Sequence, residues 1–170
     1  TRKESSAASD VYKRQIFMVN TASRCGFTPQ YENLQNLFVN FKDTDLTILA
    51  ITSNSFNQEY SSTEDIKKIC LVNYDVGFVT SSPLSVTGDD SHDIFNWLRA
   101  EYSKSPKWNF YKYLFDRSGE LVKSWSSITK PDSNKIKNEI ENAIIETNSL
   151  CPPKTPSTLG SKYSEKLIAT

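Results

Sequence analysis

A chain of 170 residues and 19.3 kDa is one domain's worth of polypeptide, long enough to bury a core. With 37% apolar and 24% charged residues it has the composition of a globular protein. Twenty Lys and Arg against twenty Asp and Glu exclude the basic excess of a dedicated nucleic-acid binder, no apolar run approaches the ~18 residues of a membrane span, and a single histidine, His92, excludes any site built on two.

The ends differ from the middle. Residues 1–15 are small, polar and aperiodic, without a signal-peptide apolar stretch, and carry a net charge of +2. Residues 151–170 hold three prolines, Cys151 and three lysines against one glutamate, again +2, which leaves −4 for the middle. The expected organisation is a disordered or artefactual leader (1–15), a folded domain (16–150) and a flexible tail (151–170).

Ile16–Asn20 is a short apolar run, expected as a buried strand. Thr28-Pro29 predicts an N-cap and first helical position, with Tyr31, Leu34, Leu37, Phe38 and Phe41 following at helical spacing. Leu46–Ile51 predicts a second buried strand. Ser61-Ser-Thr-Glu64 fits a capping box ahead of a helix carrying Ile66, Ile69 and Cys70 on one face. Leu84–Val86 is expected as a short strand, and Ser91 as the cap of a helix with Ile94, Phe95, Leu98 and Tyr102. Phe110–Phe115 and Leu121–Trp125 predict two strands around the Asp116–Gly119 turn. Pro131 and Ser133 open a last helix with Ile136, Ile140, Ala143 and Ile144 in one stripe. The order β-α-β-α-(β)-α-β-β-α predicts an α/β fold with a central mixed sheet flanked by helices.

Cys25 falls in the turn between the first strand and first helix. Unpaired N–H groups at a helix start, with Arg24 adjacent, favour the thiolate, which is the nucleophilic form. A small residue filling a tight turn is the competing reading. Cys70 reads either as a buried cysteine on an apolar helix face or as a second working thiol. Three cysteines at 25, 70 and 151 form no disulfide framework. Cys151 reads as an incidental thiol, His92 as a structural residue at a helix start, and Asp89-Asp90 as a solvated turn.

The stretch Val19-Asn-Thr-Ala-Ser-Arg-Cys-Gly-Phe-Thr-Pro-Gln-Tyr-Glu32 resembles the active-site signature of the glutathione peroxidase family. Lys107-Trp108-Asn109-Phe110, with Asp116–Gly119 and Thr129-Lys-Pro131, resembles the second family signature. Asp65–Cys70, Asn73-Tyr74 and Phe78 resemble the segment between them, so that the likeness runs from about Ile16 to about Ile145. It implies a thioredoxin-like fold and a peroxidase needing no metal or other cofactor. Cys25 is then the peroxidatic residue, passing through a sulfenic acid. Trp108 and Asn109 are its tetrad partners, hydrogen-bond donors to sulfur and to the developing oxyanion.

The chain departs from the family where a tetrad glutamine is usual, because Thr52–Glu59 places Ser55 there in a turn one residue shorter. Loss of such a donor typically costs ~10²–10³ in rate. Gln58 could swing in, and Asn20 is expected to support the active-site loop by side-chain hydrogen bonds. In many non-selenium members a cysteine in the helix of Cys70 resolves the sulfenic acid as an intramolecular disulfide, which thioredoxin then reduces. If the two cysteines lie far apart, Cys70–Tyr74 must unwind in turnover. Only Ser103–Lys107 separates the preceding helix from Trp108, a short link resembling monomeric, thioredoxin-using members. The leader stands where the family has an N-terminal hairpin, which predicts a weakened sheet edge. The resemblance implies a monomeric thiol peroxidase acting on hydrogen peroxide or organic hydroperoxides, with thioredoxin as reductant and, for a thiol pair cycling through the reduced state, a cytoplasmic setting. Glutathione dependence, a redox relay or sensor, and an inactive thioredoxin-fold homologue are the competing readings.

Overall fold

The computed structural model describes residues 14–148; the 151–170 tail with Cys151, and residues 1–13 of the leader, lie outside them. Strand β1 (Gln15–Thr21) is buried at every position. A strand buried on both faces must lie inside a sheet covered on both sides. It pairs in parallel with β2 (Leu46–Thr52) and antiparallel with β4 (Lys112–Phe115), giving a five-stranded mixed sheet in the order β3-β2-β1-β4-β5. The edges are β3 (Val79–Thr80) and β5 (Leu121–Trp125).

Alternation along the strands divides the core in two. Phe17 and Val19 of β1, Ile48 and Ala50 of β2 and Leu114 of β4 face one side. There they meet Tyr31, Leu34 and Leu37 of α1 (Gln30–Phe41), Ile66 of α2 (Thr63–Lys68), and Ile136 and Ile140 of α4 (Asn134–Asn148). Ile16, Met18, Leu49, Ile51, Tyr113 and Phe115 face the other side and pack on Ile94, Phe95, Trp97 and Leu98 of α3 (Asp93–Tyr102). Each fully buried side chain of this size contributes about 1.5–3 kcal/mol of transfer free energy.

The sheet, the four helices and the Asp116–Gly119 turn follow the sequence pattern, and the local differences have physical causes. Pro29, not Thr28, stands at the α1 N-cap with no side-chain cap bond, because the Thr28 hydroxyl is used elsewhere. The α2 cap is Ser62, whose Oγ accepts from Asp65 N–H at 3.3 Å, one residue later than the expected box. His92 caps α3, its Nδ1 accepting from Ile94 N–H at 3.3 Å, while Ser91 is paired with the Asn96 side chain. Residues 84–86 form no strand: Leu84 N–H donates to the Thr52 carbonyl and Val86 N–H to the Ser55 hydroxyl. The two-residue β3 that takes the outer edge was invisible to periodicity, and both its residues are exposed. β4 starts only at Lys112 because Phe110 is in the left-handed region (φ 63°), which breaks the extended run. The helix of Cys70 is α-helical only as far as Lys68 and continues as a π-helical turn over Ile69–Asn73.

Candidate active site

The turn after β1 is closed by its own side chains. Thr28 Oγ accepts from Cys25 N–H at 3.0 Å and donates to the Ala22 carbonyl at 2.9 Å. This folds residues 22–28 tightly enough for Phe27 N–H to reach Cys25 Sγ at 3.4 Å. A backbone donor aimed at sulfur stabilises negative charge there. Cys25 is 7% exposed, set in the rim of the core rather than on the surface. The Arg24 guanidinium lies over the Tyr60 ring, 5.5 Å from its centroid.

A second segment docks on this turn. The Gln58 carbonyl accepts from Arg24 N–H at 2.9 Å, and the Glu59 carboxylate accepts from Ser23 N–H at 3.1 Å and from Tyr60 N–H at 2.8 Å. Glu59 is buried, and two backbone donors offset the cost of burying its charge. Gln58 is thereby held beside the residue preceding Cys25. Its side-chain Oε1 accepts from Asn109 Nδ2 at 3.0 Å, which leaves the Gln58 NH₂ group as a donor for another partner.

Asn20 organises the third segment. Its Nδ2 donates to the Trp108 carbonyl at 3.0 Å and its Oδ1 accepts from Tyr111 N–H at 3.0 Å. Its own carbonyl accepts from Phe110 N–H at 2.6 Å. The loop carrying Trp108 and Asn109 is thus clamped to the C-terminal end of β1, the end from which the Cys25 turn departs. Asn109 is fully buried and its Oδ1 has no partner, while Trp108 is 40% exposed and packs on Phe56 with ring centroids 5.3 Å apart.

Ser55 has its hydroxyl engaged by other partners. Its Oγ accepts from Val86 N–H at 2.9 Å, lies 3.1 Å from Ser53 Oγ and 3.5 Å from Ser85 Oγ, and so pins the Asn54–Phe56 turn to the 85–86 loop. Hydrogen bonds thus link Asn20 to the loop of Trp108 and Asn109, Asn109 to Gln58, and Gln58 to Arg24, the neighbour of Cys25. Sequence reasoning missed Glu59, whose burial has no local signature, and the closing role of Thr28, which the Thr-Pro pair disguised as a helix cap.

Cys70 sits in the π-helical turn, 5% exposed, in the same core cluster as Cys25. Both are free thiols. Burial pushes the Cys70 thiol up; the nearby Tyr31 hydroxyl lowers it, and the Glu59 charge adds a smaller upward push. The Tyr31 oxygen itself makes no hydrogen bond of good geometry. Cys70 also lines a cavity of about 260 Å³ between α2 and β3, with Thr52, Ile66, Phe78 and Thr80 among its walls. Among the described residues, no cluster of three His, Cys, Asp or Glu could hold a metal ion, and no helix is long and apolar enough to cross a membrane.

The glutathione peroxidase family profile matches residues 2–99. The chain belongs to the glutathione peroxidase family. It is 40% identical over 146 residues to the glutathione peroxidase homolog BsaA of Halalkalibacterium halodurans, covering 83% of this chain and 92% of that protein. It is 37% identical over 141 residues to the glutathione peroxidase-like peroxiredoxin gpx1 of Schizosaccharomyces pombe, covering 80% and 88% of the two chains. The crystal structure of Trgpx in apo form superposes with a TM-score of 0.63 at 30% identity, covering 81% of this chain and 84% of that one. A solution structure of a thioredoxin-like protein in the oxidized form matches at TM-score 0.55 and 12% identity, covering 80% and 81%, a likeness of fold alone. The fold is thioredoxin-like, and the protein is a thiol peroxidase, an oxidoreductase acting on peroxide.

Proposed function

We propose that Cys25 is the peroxidatic residue, that Asn109, Trp108 and Gln58 are its donors, and that Cys70 resolves the oxidised form for reduction by thioredoxin. The observation that supports this most is the Asn109–Gln58 hydrogen bond on a segment docked at Arg24. In the first step the Cys25 thiolate attacks the near oxygen of the peroxide. The O–O bond breaks, an S–O bond forms, and the departing oxygen takes a proton and leaves as water or an alcohol. The Phe27 N–H steadies charge on sulfur before attack, and the amide and indole donors steady it on oxygen as the bond breaks. Cys25 is left as a sulfenic acid.

In the second step the Cys70 thiolate attacks the Cys25 sulfur; a disulfide forms and the hydroxyl leaves as water. The placement of Cys70 suits a reserve thiol. Burial keeps it protonated in the resting fold, and a short helix ending in a π-helical turn is where a segment can unwind at modest cost. Unwinding exposes the thiol and removes the burial that holds its proton. A dithiol reductant then reduces the disulfide by two exchange steps, restoring both cysteines. A monomeric enzyme in a reducing, cytoplasmic setting fits this cycle.

NADPH consumption coupled through thioredoxin reductase and thioredoxin, with hydrogen peroxide as substrate, tests the reading. The expected result is turnover in the parent chain that is lost in Cys25→Ser and Cys70→Ser. Turnover with glutathione and glutathione reductase that survives Cys70→Ser would replace thioredoxin by glutathione, and folded protein active with neither would remove the proposed cycle.

A further inference from the structure

Lys112 is fully buried on the α1 side of β4. Its Nζ donates to Gln30 Oε1 at 2.7 Å, to the Ser127 carbonyl at 3.2 Å and to the Ser126 carbonyl at 3.4 Å. Gln30 Nε2 donates to the same Ser127 carbonyl at 2.7 Å. Ser127 Oγ in turn donates to the Asn109 carbonyl at 2.6 Å. An unbroken set of hydrogen bonds thus runs from the start of α1 through a buried lysine to the backbone of the residue that holds Gln58.

We propose that Lys112 is a positioning residue for the peroxidase reaction, drawing the start of α1 and the 126–127 loop together so that the Ser127 hydroxyl fixes Asn109 against Gln58. The inference rests on the reading of Asn109 as a donor to the reacting atoms. Three acceptors surround Nζ, and an ammonium has three N–H bonds to give them. A neutral amine has two, and its lone pair would face a carbonyl oxygen. The network is therefore built for the charged form, although no carboxylate offsets that charge. Across the sheet Lys112 faces Val19 of β1 and Trp125 of β5, its head meets Gln30 and the backbone of Ser126 and Ser127, and none of these groups titrates.

Burial alone lowers its pKa to about 7. The complete tie is thus present below about pH 7 and loses a bond above it. Global stability moves the other way. Because the folded pKa lies below the ordinary value of about 10.4, the unfolded chain holds the proton more tightly between the two, and stability rises with pH across that window. A lysine with only a structural part would show the stability change and leave reactivity alone.

The test is single-turnover stopped-flow oxidation of Cys25 by hydrogen peroxide between pH 6 and 9, for the full chain and for Lys112→Met, Ser127→Ala, the double variant and Asn109→Ala. The ratio of parent to variant rate cancels ionisations common to both. For Lys112→Met that ratio is expected to be about 10 or more at pH 6 and to fall as pH passes 7, with thermal stability at pH 6 equal to or above the parent's. Ser127→Ala is expected to slow the reaction similarly, and adding it to Lys112→Met to bring no further loss. A folded Lys112→Met with the parent's rate and pH profile overturns the proposal, as does full additivity in the double variant. Should Lys112→Met not fold, Ser127→Ala decides: a slower reaction without the change near pH 7 supports the proposal, and an unchanged one overturns it. Asn109→Ala at the parent's rate would defeat the reading of Asn109 instead, whereas a slow Asn109→Ala beside an unchanged Lys112→Met defeats this inference alone.

Discussion

The side chain of Asn109 donates to Gln58 Oε1 at 3.0 Å, while the Ser55 hydroxyl, three residues earlier in the same loop, accepts from Val86 N–H. The segment carrying Gln58 is docked beside Cys25 by the bond between the Gln58 carbonyl and Arg24 N–H, and the proposed donor role of Gln58 rests on that placement. Gln58→Ala is expected to slow Cys25 oxidation by ~10²–10³, the usual cost of losing a preorganised donor. Ser55→Ala is expected to leave that rate within a few-fold and to cost about 1–3 kcal/mol in chemical denaturation, because Val86 N–H loses its acceptor. Rapid-mixing kinetics and urea unfolding of the two variants separate these outcomes; a larger rate loss in Ser55→Ala would return the donor role to the serine.

The π-helical turn over Ile69–Asn73 makes a prediction of its own. Among the side chains described there, Ile66 in α2 and Cys70 beyond it are firmly buried and Val72 is 72% exposed. Local opening there should cost far less than global unfolding. Hydrogen exchange is expected to be faster at 69–73 than along the buried face of α1, and to quicken again once Cys25 and Cys70 are joined. Cys70→Ala is expected to cost about 1 kcal/mol and to remove thioredoxin-dependent turnover while sparing the first oxidation. Equal protection of both segments in reduced and oxidised protein would count against unwinding.

Tyr102 closes the far side of the sheet. Its hydroxyl donates to the Glu120 carboxylate and accepts from Leu121 N–H at 3.3 Å, tying the end of α3 to β5. Burial first, then the hydrogen bond to Glu120, push its pKa up to about 12. A folded pKa above the ordinary value of about 10 means the neutral phenol is favoured by folding. That contribution is whole below pH 10 and is lost as pH rises through 12. Tyr102→Phe is expected to cost about 1.5–3 kcal/mol at pH 8, the range for a hydrogen bond to a charged group. In urea unfolding the gap between parent and variant should narrow at pH 11.

Periodicity made the sheet legible because β1, β2, β4 and the stripes of α1, α3 and α4 are apolar at the spacing their burial requires. It could not show β3, a two-residue strand held by backbone bonds to β2 with both side chains in solvent. Within the site, the positions of Cys25, Trp108, Asn109 and Asn20 could be named from short motifs, since each belongs to a dense local signature. Glu59 and Lys112 could not, and for Gln58 the sequence offered only a residue able to swing in. Their roles arise from contacts 14 to 82 residues apart in the chain, and a buried carboxylate or lysine carries the same letter as an exposed one.

Asn20 offers the sharpest separation of shape from charge. It donates to the Trp108 carbonyl and accepts from Tyr111 N–H, and only a carboxamide performs both in that orientation. Asn20→Asp keeps the acceptor but sets a carboxylate oxygen against the Trp108 carbonyl in a fully buried place. Asn20→Ala removes both bonds and leaves Tyr111 N–H unpaired. Both are expected to cost about 1–3 kcal/mol or more, the aspartate more because it buries an uncompensated charge. Both should slow Cys25 oxidation by loosening the loop that carries Trp108 and Asn109, with Trp fluorescence reporting the altered setting of the indole. Guanidinium unfolding alongside peroxide kinetics measures the two effects together. An Asn20→Asp protein as stable and as fast as the parent would show that the clamp between β1 and the 108–111 loop does not hold the site.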